Sequence, residues 1–403
     1  MKRRYWFIPV MIPLLAFEGL FLSSCSVRVE NVSNNDNKKV PDDDRKNTTD
    51  DHVLSTGTIG VDEDTEYGNV DVEISIDEFN ALGFCYGDGV DVRFSNGYIL
   101  EDIPYYTGYY NPTKEPLVVG YPGEENIYVA INFGSLWAES GLTNDDTVEI
   151  SLNSPGKYSD IQKIMSNGYE DDRKAYESDE VFANFRCVNT GRLRDDILYR
   201  SASPCDNTHN RAPYSDKLAA AAGIRAIVDL ADEPDEIEGF IGSEDFDSPY
   251  FYSLYEKGAV IPVNLTVDYT SDDYKSNLGE ALRIMGTSEG PYLVHCLEGK
   301  DRTGFVAALL EALTGASYDE MVADYMISFD NYYGIDEQSD PEAYDIILNN
   351  NFVPMIRYIA GLDKNDDILA ADYESGAEAY LINCGMTGEE VSTLKEKLTY
   401  SPM

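Results

Sequence analysis

Ten consecutive residues, HCLEGKDRTG at positions 295–304, combine side chains that could carry out nucleophilic chemistry on a bound anion. Cys296 supplies a thiol, and Arg302 follows it after five residues with a planar guanidinium that can bind two oxygens of one phosphoryl group. Gly299 and Gly304 allow the backbone between them to turn sharply. The spacing therefore predicts a cysteine that attacks the phosphorus of a bound phosphate ester.

Two regular elements must hold this segment. Residues 291–296 (PYLVHC) are typical of a buried strand, and residues 302–315 (RTGFVAALLEALTG) of a helix that ends at Gly315. A short loop between them points successive backbone N–H groups into one concavity at the positive end of a helix dipole, which suits a tetrahedral dianion. We expect phosphate to be bound by the residues of this loop and of the first helical turn: Leu297, Glu298, Gly299, Lys300, Asp301, Arg302, Thr303 and Gly304.

The neighbours of Cys296 fit the same chemistry. The positive field of the loop favours thiolate over thiol, so the nucleophile is expected to be ionised near neutral pH. His295 is expected to tune the cysteine by hydrogen bonding from behind. The hydroxyl of Thr303 is placed to bond the sulfur and help it leave in a second step. These residues together predict a nucleophilic site.

Cys-x5-Arg preceded by His resembles the signature of cysteine-dependent protein tyrosine phosphatases, and GKDRTG is similar to the bacterial branch of atypical tyrosine and lipid phosphatases. The resemblance continues in residues 182–204, 316–328 and 376–398, so it covers roughly 181–399. It implies an α/β domain with a largely parallel sheet and two-step phosphomonoester hydrolysis through a phosphocysteine. It also implies a supporting role for Arg200 in LYRS, and no metal or organic cofactor.

Three carboxylates compete for the role of general acid, which protonates the leaving oxygen. The branch that carries Asp inside the loop implies Asp301, while a more widespread pattern, with the acid on an upstream mobile loop, implies Asp268. Asp232 is third. The branch usually has Asp-Leu-Arg where residues 229–231 read DLA, so an expected basic contact is missing. The order of preference is Asp301, Asp268, Asp232.

The loop also bears on substrate choice. A basic residue such as Lys300 is typical of relatives that accept phosphoinositides, but Glu298 adds an anion to the same rim. A phosphorylated protein carrying phosphotyrosine is therefore the first expectation, and a phosphoinositide or inositol phosphate the second. A surface protein that binds an anion without turnover is the alternative from another class. The presence of Cys296, Arg302 and Thr303 argues against it.

The composition limits other partners. The formal net charge of −44 repels nucleic acid and anionic surfaces, so no nucleic-acid partner is expected and any phosphate site must be locally positive. His209 has no second histidine or cysteine pair at ligand spacing, so a hydrogen-bonding role in its loop is expected instead of metal binding.

The N-terminus has a basic start, a short apolar stretch and the sequence LSSC ending at Cys25. This resembles a bacterial lipoprotein signal, which implies removal of residues 1–24, lipid attachment to Cys25 and an extracytoplasmic protein anchored to the cell membrane. Residues 25–56 are polar and rich in Asn and Asp, and they are expected to form a disordered tether.

Two folded regions are expected after the tether. Residues 57–156 alternate apolar and polar residues, which predicts a small, mostly antiparallel β-domain of barrel or sandwich type with strands at 70–76, 90–94, 127–133 and 147–152. The tyrosine-rich stretch 101–112 is interpreted as a loop whose aromatic rings pack on their own domain. A charged connector, 157–180, leads to the α/β domain at 181–403, with strands near 197–201, 224–230 and 261–265, helices at 215–223 and 275–286, and a capping box at SYDE, 317–320.

Overall fold

A computed structural model describes residues 53–399, which divide into two compact units, 53–167 and 168–399. The predicted signal peptide, the predicted lipidation site Cys25 and residues 26–52 of the predicted tether lie outside the described residues. Within the described part, no helix is long and apolar enough to cross a membrane.

The first unit is a closed barrel of seven strands, in the order β1-β2-β6-β5-β4-β3-β7. Neighbouring strands are antiparallel, except that β4 and β5 are parallel. Alternate residues of each strand point inward and fill the interior with apolar side chains. The elements are β1 (Val53–Val61), β2 (Val70–Ser75), α1 (Ile76–Ala81), β3 (Gly89–Phe94), β4 (Ile99–Tyr106), β5 (Pro116–Val119), β6 (Asn126–Ile131), α2 (Leu136–Ser140), β7 (Thr147–Ser154) and α3 (Ser159–Met165).

The barrel differs from the sequence prediction at two places. Strand β1 begins inside the predicted tether, because Val53 and Leu54 pair with β7. The first half of the tyrosine-rich stretch is strand β4 and not a loop, since Tyr105 and Tyr106 are buried in the barrel wall. Aromatic residues fit a half-buried pleated surface, so the composition that indicated a loop also suits a strand.

The second unit has a five-stranded sheet in the order β11-β10-β12-β9-β8, in which the first four strands are parallel and β8 is antiparallel to β9. Helices pack around this sheet, as the alternation of strands and helices predicts. The strands are β8 (Arg186–Cys187), β9 (Leu198–Ser201), β10 (Ala226–Asp229), β11 (Val260–Pro262) and β12 (Tyr292–His295). The helices are α4 (Asp179–Phe182), α5 (Ala212–Ala222), α6 (Pro234–Ile241), α7 (Pro249–Tyr255), α8 (Asp272–Thr287), α9 (Asp301–Leu313), α10 (Tyr318–Tyr333), α11 (Pro341–Ile347), α12 (Val353–Ala360), α13 (Tyr373–Asn383) and α14 (Gly388–Leu398).

The register of the parallel strands gathers their last residues at one edge. His295 pairs with both Asp229 and Ser201, so β9, β10 and β12 all end at the same level. The carboxyl edge of such a sheet is where α/β proteins place their ligands. Helix α9 starts from this edge, and every one of its residues except Asp301 is buried. Because the surrounding elements enclose it, the helix gives the loop before it a rigid base.

The predicted connector, 157–180, is divided between the two units. Helix α3 belongs to the barrel unit, whereas residues from Gly168 onward belong to the second unit. Tyr169 and Asp171, for example, contact residues of the α/β domain. The acidic, polar composition of this stretch does not show that Tyr169 is half-buried against the second unit.

Candidate active site

Cys296 lies at the carboxyl edge of the sheet, directly after β12, and its thiol is free and buried. Residues 297–300 form a tight loop, and α9 begins at Asp301. This is the strand, loop and helix arrangement expected from the spacing of Cys296 and Arg302. The thiol and the guanidinium therefore lie at the two ends of one short loop.

The carbonyl groups of this loop all point away from its concave side and accept hydrogen bonds from outside. A peptide N–H points opposite to the carbonyl of the preceding residue, so the outward carbonyls of 297–299 direct the N–H groups of 298–300 to the other side. None of the N–H groups of residues 297–300 donates to an acceptor within the described residues, so all four remain available to an anion. The outer donors are Ser203 N to Leu297 O at 3.0 Å, Tyr332 OH to Glu298 O at 2.6 Å, Asn184 Nδ2 to Glu298 O and Gly299 O at 3.2 Å each, and Arg200 Nη2 to Gly299 O at 3.0 Å and Lys300 O at 3.4 Å.

Position 299 requires glycine for two reasons. Its φ of +69° lies in the left-handed region, which side chains disfavour. A Cβ at this position would also lie 2.2 Å from the carbonyl oxygen of Ser201. The sharp turn of the loop and its close approach to β9 therefore both depend on Gly299.

Arg200 supports the loop from below, where it is fully buried. Its Nη1 lies 2.6 Å from Asp324 Oδ2, and Asp324 Oδ1 lies 2.7 Å from Arg186 Nε. Burial alone would raise the pKa of Asp324, but the two guanidinium groups outweigh burial and lower it to about 2. The carboxylate therefore stays ionised and fixes Arg200, which in turn holds two carbonyls of the loop.

Lys300 and Glu298 are buried and paired with each other, so the anion that the sequence places beside Lys300 opposes its charge directly. Lys300 Nζ lies 3.6 Å from Glu298 Oε2 and 2.9 Å from both carboxylate oxygens of Asp301. The hydroxyl of Tyr169 donates a hydrogen bond to Glu298. Burial opposes the charge of Lys300, but the neighbouring acidic groups outweigh it and hold its pKa well above the usual range. Lys300 is therefore a cation neutralised on two sides.

Tyr169 itself is held by aromatic and cationic neighbours. Its ring lies 4.7 Å from that of Tyr332, between ring centroids, and the guanidinium of Arg211 lies 4.8 Å from its centroid. Arg211 Nη1 also pairs with Asp171 at 2.6 Å, and His209 Nδ1 lies 3.0 Å from the other oxygen of Asp171. His209 thus occupies a hydrogen-bonded position in its loop, and residues 169–171 are fixed against the α/β domain.

The three proposed general acids differ in their surroundings. Asp301 has the most exposed side chain of the three, at 32%, although Lys300 holds both of its oxygens. Asp268 is buried, and its Oδ1 accepts hydrogen bonds from the N–H and the hydroxyl of Thr270, as in a turn cap. Asp232 is buried beside Asp229. Within the described part of the chain, its side chain makes no hydrogen bond to residues 297–300.

Arg302 and Thr303 begin α9 with buried side chains. Arg302 Nη1 donates to the carbonyl oxygen of Leu265 at 3.2 Å, which orients the guanidinium. The hydroxyl oxygen of Thr303 is buried and has no hydrogen-bond partner among the described residues. A buried hydroxyl that finds no partner within the protein is a natural contact for a bound group or for the cysteine sulfur.

His295 is completely buried behind the loop. Burial lowers its pKa to about 4, so the ring is neutral at physiological pH. Burial also raises the pKa of Asp229 to about 7 and that of Asp232 to about 8. Burial thus favours the uncharged forms of His295, Asp229 and Asp232 near Cys296.

Sequence reasoning missed three residues that shape the loop: Asn184, Tyr169 and Asp324. Asn184 donates to two loop carbonyls from a backbone with φ of +48°, and nothing in its sequence neighbourhood indicates this. Asp324 did leave a signal, because it lies among apolar residues in MVADYMIS, where a buried acid needs a cationic partner.

Comparison with known families matches residues 182–400 to a model described as the tyrosine phosphatase family, which is slightly more than half of the 403 residues. A tyrosine-protein phosphatase from Nostoc commune is 36% identical over 126 residues, which are 29% of this chain and 42% of that protein. The triple specificity protein phosphatase PtpB from Mycobacterium tuberculosis is 54% identical over 41 residues, which are 10% of this chain and 15% of that protein. The chain therefore spans less than half the length of these curated relatives.

Solved structures show fainter similarity. The catalytic domain of the PP-IP phosphatase SIW14 from S. cerevisiae, in complex with citrate, is 23% identical with a TM-score of 0.26, over 42% of this chain and 94% of that one. TpbA from P. aeruginosa, in complex with pTyr, is 20% identical with a TM-score of 0.25, over 40% and 86%. At these scores the structural similarities support no argument. The assignment of this chain to a family depends on the family match alone.

Proposed function

The chain belongs to the tyrosine phosphatase family, and from this membership we propose that it hydrolyses phosphomonoesters through a phosphocysteine formed on Cys296. One observation carries the proposal: four loop N–H groups are free to bind an anion between a buried thiol and the start of a helix. Arg302 adds a guanidinium suited to two phosphoryl oxygens. The rival, an anion-binding protein without turnover, leaves the nucleophile unexplained.

The proposed reaction has two steps. The Cys296 thiolate attacks phosphorus, the bond from phosphorus to the leaving oxygen breaks, and a carboxylic acid donates a proton to that oxygen. Water then attacks the phosphocysteine, gives its proton to the same carboxylate, and the phosphorus–sulfur bond breaks to release phosphate and thiolate. The hydroxyl of Thr303 stabilises the departing sulfur in the second step.

Asp301 is the general acid in this proposal, because its side chain is the most exposed of the three and belongs to the loop's own helix. Asp301→Asn should lower kcat roughly 10²- to 10⁴-fold for a phenyl phosphate, whose leaving oxygen needs a proton. The loss should be much smaller for an aryl phosphate with a strongly acidic phenol. Steady-state rates across a series of aryl phosphates measure this difference.

The exposed Asp319→Asn is the matched control and should change neither rate. An equal loss for all leaving groups would mean that Asp301 only positions Lys300. The same series on Asp268→Asn and Asp232→Asn would then identify the acid.

Phosphotyrosine is the substrate that we propose, with phosphoinositides and inositol phosphates second. The support comes from Lys300, which is buried and neutralised by Glu298 and Asp301 instead of being free for a further phosphate. A substrate with several phosphates needs extra unpaired positive charge at the site. In the folded loop, the positive charge that remains unpaired and can bind a substrate comes only from Arg302 and the backbone N–H groups.

Glu298→Gln tests this proposal about substrate choice, because it removes one of the two carboxylates that neutralise Lys300. Phosphate release should be measured from a phosphotyrosine peptide, a phosphoserine peptide, a phosphoinositide and inositol hexakisphosphate. The wild type should prefer phosphotyrosine. In the variant, the ratio of the rate with inositol substrates to the rate with phosphotyrosine should rise roughly tenfold, which corresponds to only a fraction of the Coulomb energy of one charge at this distance.

The exposed Glu389→Gln serves as the control and should leave the ranking unchanged. Turnover of inositol phosphates by the wild type above that of phosphotyrosine would make the second substrate class the correct one. Absence of turnover with every substrate would contradict the proposed function.

We also propose that the protein is a lipoprotein anchored at Cys25 and acts outside the cytoplasm. The support is the sequence pattern that ends at Cys25, together with a net charge that resists adsorption to anionic surfaces without an anchor. The full chain produced in a bacterium should partition into detergent, and Cys25→Ser should partition into water. Equal partitioning of the two proteins would exclude the anchor.

A further inference from the structure

A cysteine and two aspartates meet at the carboxyl edge of the sheet, where β10 ends at Asp229, level with His295. Cys205 Sγ lies 3.8 Å from one carboxylate oxygen of Asp229 and 3.8 Å from one of Asp232. The three ligand atoms lie within 4.8 Å of one another. All three side chains are buried, and the thiol is free.

His295 brings an imidazole nitrogen next to one member of this group, Asp229. Its Nε2 lies 3.6 Å from Asp229 Oδ2, which is the same oxygen that faces Cys205. The imidazole has no exposed surface; the backbone of Cys296 contacts it, and neither ring nitrogen makes a hydrogen bond of normal geometry within the described residues. A buried imidazole without a well-formed hydrogen bond is unusual, and neutral imidazole is the form that binds metals.

The spacing suits a small tetrahedral ion. Zinc binds sulfur at about 2.3 Å and nitrogen or oxygen at about 2.0–2.2 Å, so the edges of its ligand tetrahedron measure about 3.3–3.6 Å. The separations here are 3.6 Å and 3.8 Å. These three separations are thus a few tenths of an ångström from the edges that a bound ion would impose, and the ligand atoms of Cys205, Asp229 and Asp232 all lie within 4.8 Å of one another.

Surrounding groups orient two of the ligands as outer partners of metal sites do. Asp229 Oδ1 accepts hydrogen bonds from the N–H groups of Ala231 at 3.0 Å and Asp232 at 3.3 Å, which turns its other oxygen toward the cluster. Ser203 Oγ accepts from Cys205 N and Asp206 N, so its hydroxyl hydrogen is left for the Cys205 sulfur, 3.4 Å away. The sulfur thus has the Ser203 hydroxyl on one side and the carboxylates of Asp229 and Asp232 on the other.

The carboxylates of Asp229 and Asp232 also favour a bound cation. No lysine or arginine lies within 4.0 Å of Asp229 or Asp232 in the described part of the chain. Arg302 and Asp206 act on the group only at longer range, with opposite signs. Buried carboxylates without a paired cation are costly, so these groups must hold either protons or a metal ion.

We propose that Cys205, Asp229 and Asp232 bind one divalent cation of the zinc class at the carboxyl edge of the sheet. The imidazole of His295, beside Asp229, completes the set as a fourth ligand when the ion draws it in, which makes this a structural site. This site goes beyond the hydrolysis proposed above, which does not use it, and it differs from the sequence expectation of no metal. The ligands come from three separate segments of the chain, so no local spacing reveals them.

The test uses the full chain carrying Cys296→Ser, which removes the catalytic thiol as a competing ligand. After equilibration with Zn²⁺ and removal of excess metal, we expect about one zinc per chain and a higher Tm than in the chelator-treated protein. Adding Cys205→Ser should lower zinc affinity at least tenfold, whereas adding Cys187→Ser, the control thiol, should not.

Co²⁺ provides a second readout that needs no variant at the cluster. The Cys296→Ser chain should show the absorption of tetrahedral Co²⁺ with a sulfur charge-transfer band, and Zn²⁺ should displace it. Absence of both zinc retention and the cobalt spectrum would overturn the proposal. Zinc binding that is undiminished in the chain with Cys205→Ser would overturn it as well.

Discussion

Cys296→Ser should abolish phosphate release, with a loss of roughly 10⁴-fold or more for every substrate that the wild type turns over. A serine hydroxyl is scarcely ionised at neutral pH, and no general base is positioned to activate it in the proposed mechanism. The loop carbonyls are held by Arg200, Asn184 and Tyr332 and not by the thiol, so the anion site should keep its shape. Release of phosphate from a phosphotyrosine peptide measures the loss.

Binding separates this prediction from a general loss of structure. Calorimetry should show that Cys296→Ser binds the phosphotyrosine peptide within a few-fold of the wild-type affinity. Acid quenching with labelled substrate should trap phosphocysteine in the wild type and none in the variant. Cys187→Ser, at a partly exposed thiol outside the loop, is the control and should keep its activity. Turnover that survives in Cys296→Ser would rule out the proposed nucleophile.

Asp324→Asn should reduce the free energy of unfolding of the second unit by roughly 3–5 kcal/mol, which is the usual cost of removing one partner from a buried ion pair. The variant leaves the guanidinium groups of Arg186 and Arg200 buried without their carboxylate. Urea denaturation followed by circular dichroism measures the change. Activity should fall as well, because Arg200 holds two carbonyls of the loop.

The stabilisation by the Asp324 ion pairs should depend on pH in a definite direction. The pKa of Asp324 is about 2 in the folded protein, below its ordinary value, so its ionisation stabilises the fold fully above that ordinary value. The contribution is lost as pH falls toward the folded pKa. The stability difference between wild type and variant should therefore be constant near neutral pH and shrink in acid.

Asp330→Asn, at an exposed position of the same helix, should change stability by less than about 0.5 kcal/mol. A similarly small change in Asp324→Asn would show that the ion pairs do not hold the loop.

The parts of the site that were predicted from sequence are local ones. Cys296, Gly299 and Arg302 lie within seven consecutive residues, and the strand and helix that flank them have strong apolar patterns. The capping box at Ser317 and Glu320 was predicted correctly for the same reason, since both of its hydrogen bonds join near neighbours.

The parts that could not be predicted depend on contacts between distant segments. Asn184 and Tyr169 reach the loop from more than a hundred residues away, and composition does not show where their side chains point. The opposing charges of Lys300 and Glu298 were visible in the sequence, whereas the burial of the pair was not. Helices α6, α7, α11 and α12 were missed because they are only seven or eight residues long, and the Pro in the first two positions of each was not taken as a helix start.

The hydrogen bond from Tyr169 to Glu298 has an evolutionary consequence. The family match begins at residue 182, so Tyr169 lies outside the matched segment, yet it contacts Glu298 in the loop that follows Cys296. A substitution at Tyr169 therefore changes the surroundings of Glu298 with every residue of HCLEGKDRTG unchanged. Relatives with identical loops can differ in this way, and residues 168–176 belong in any comparison of their substrate preferences.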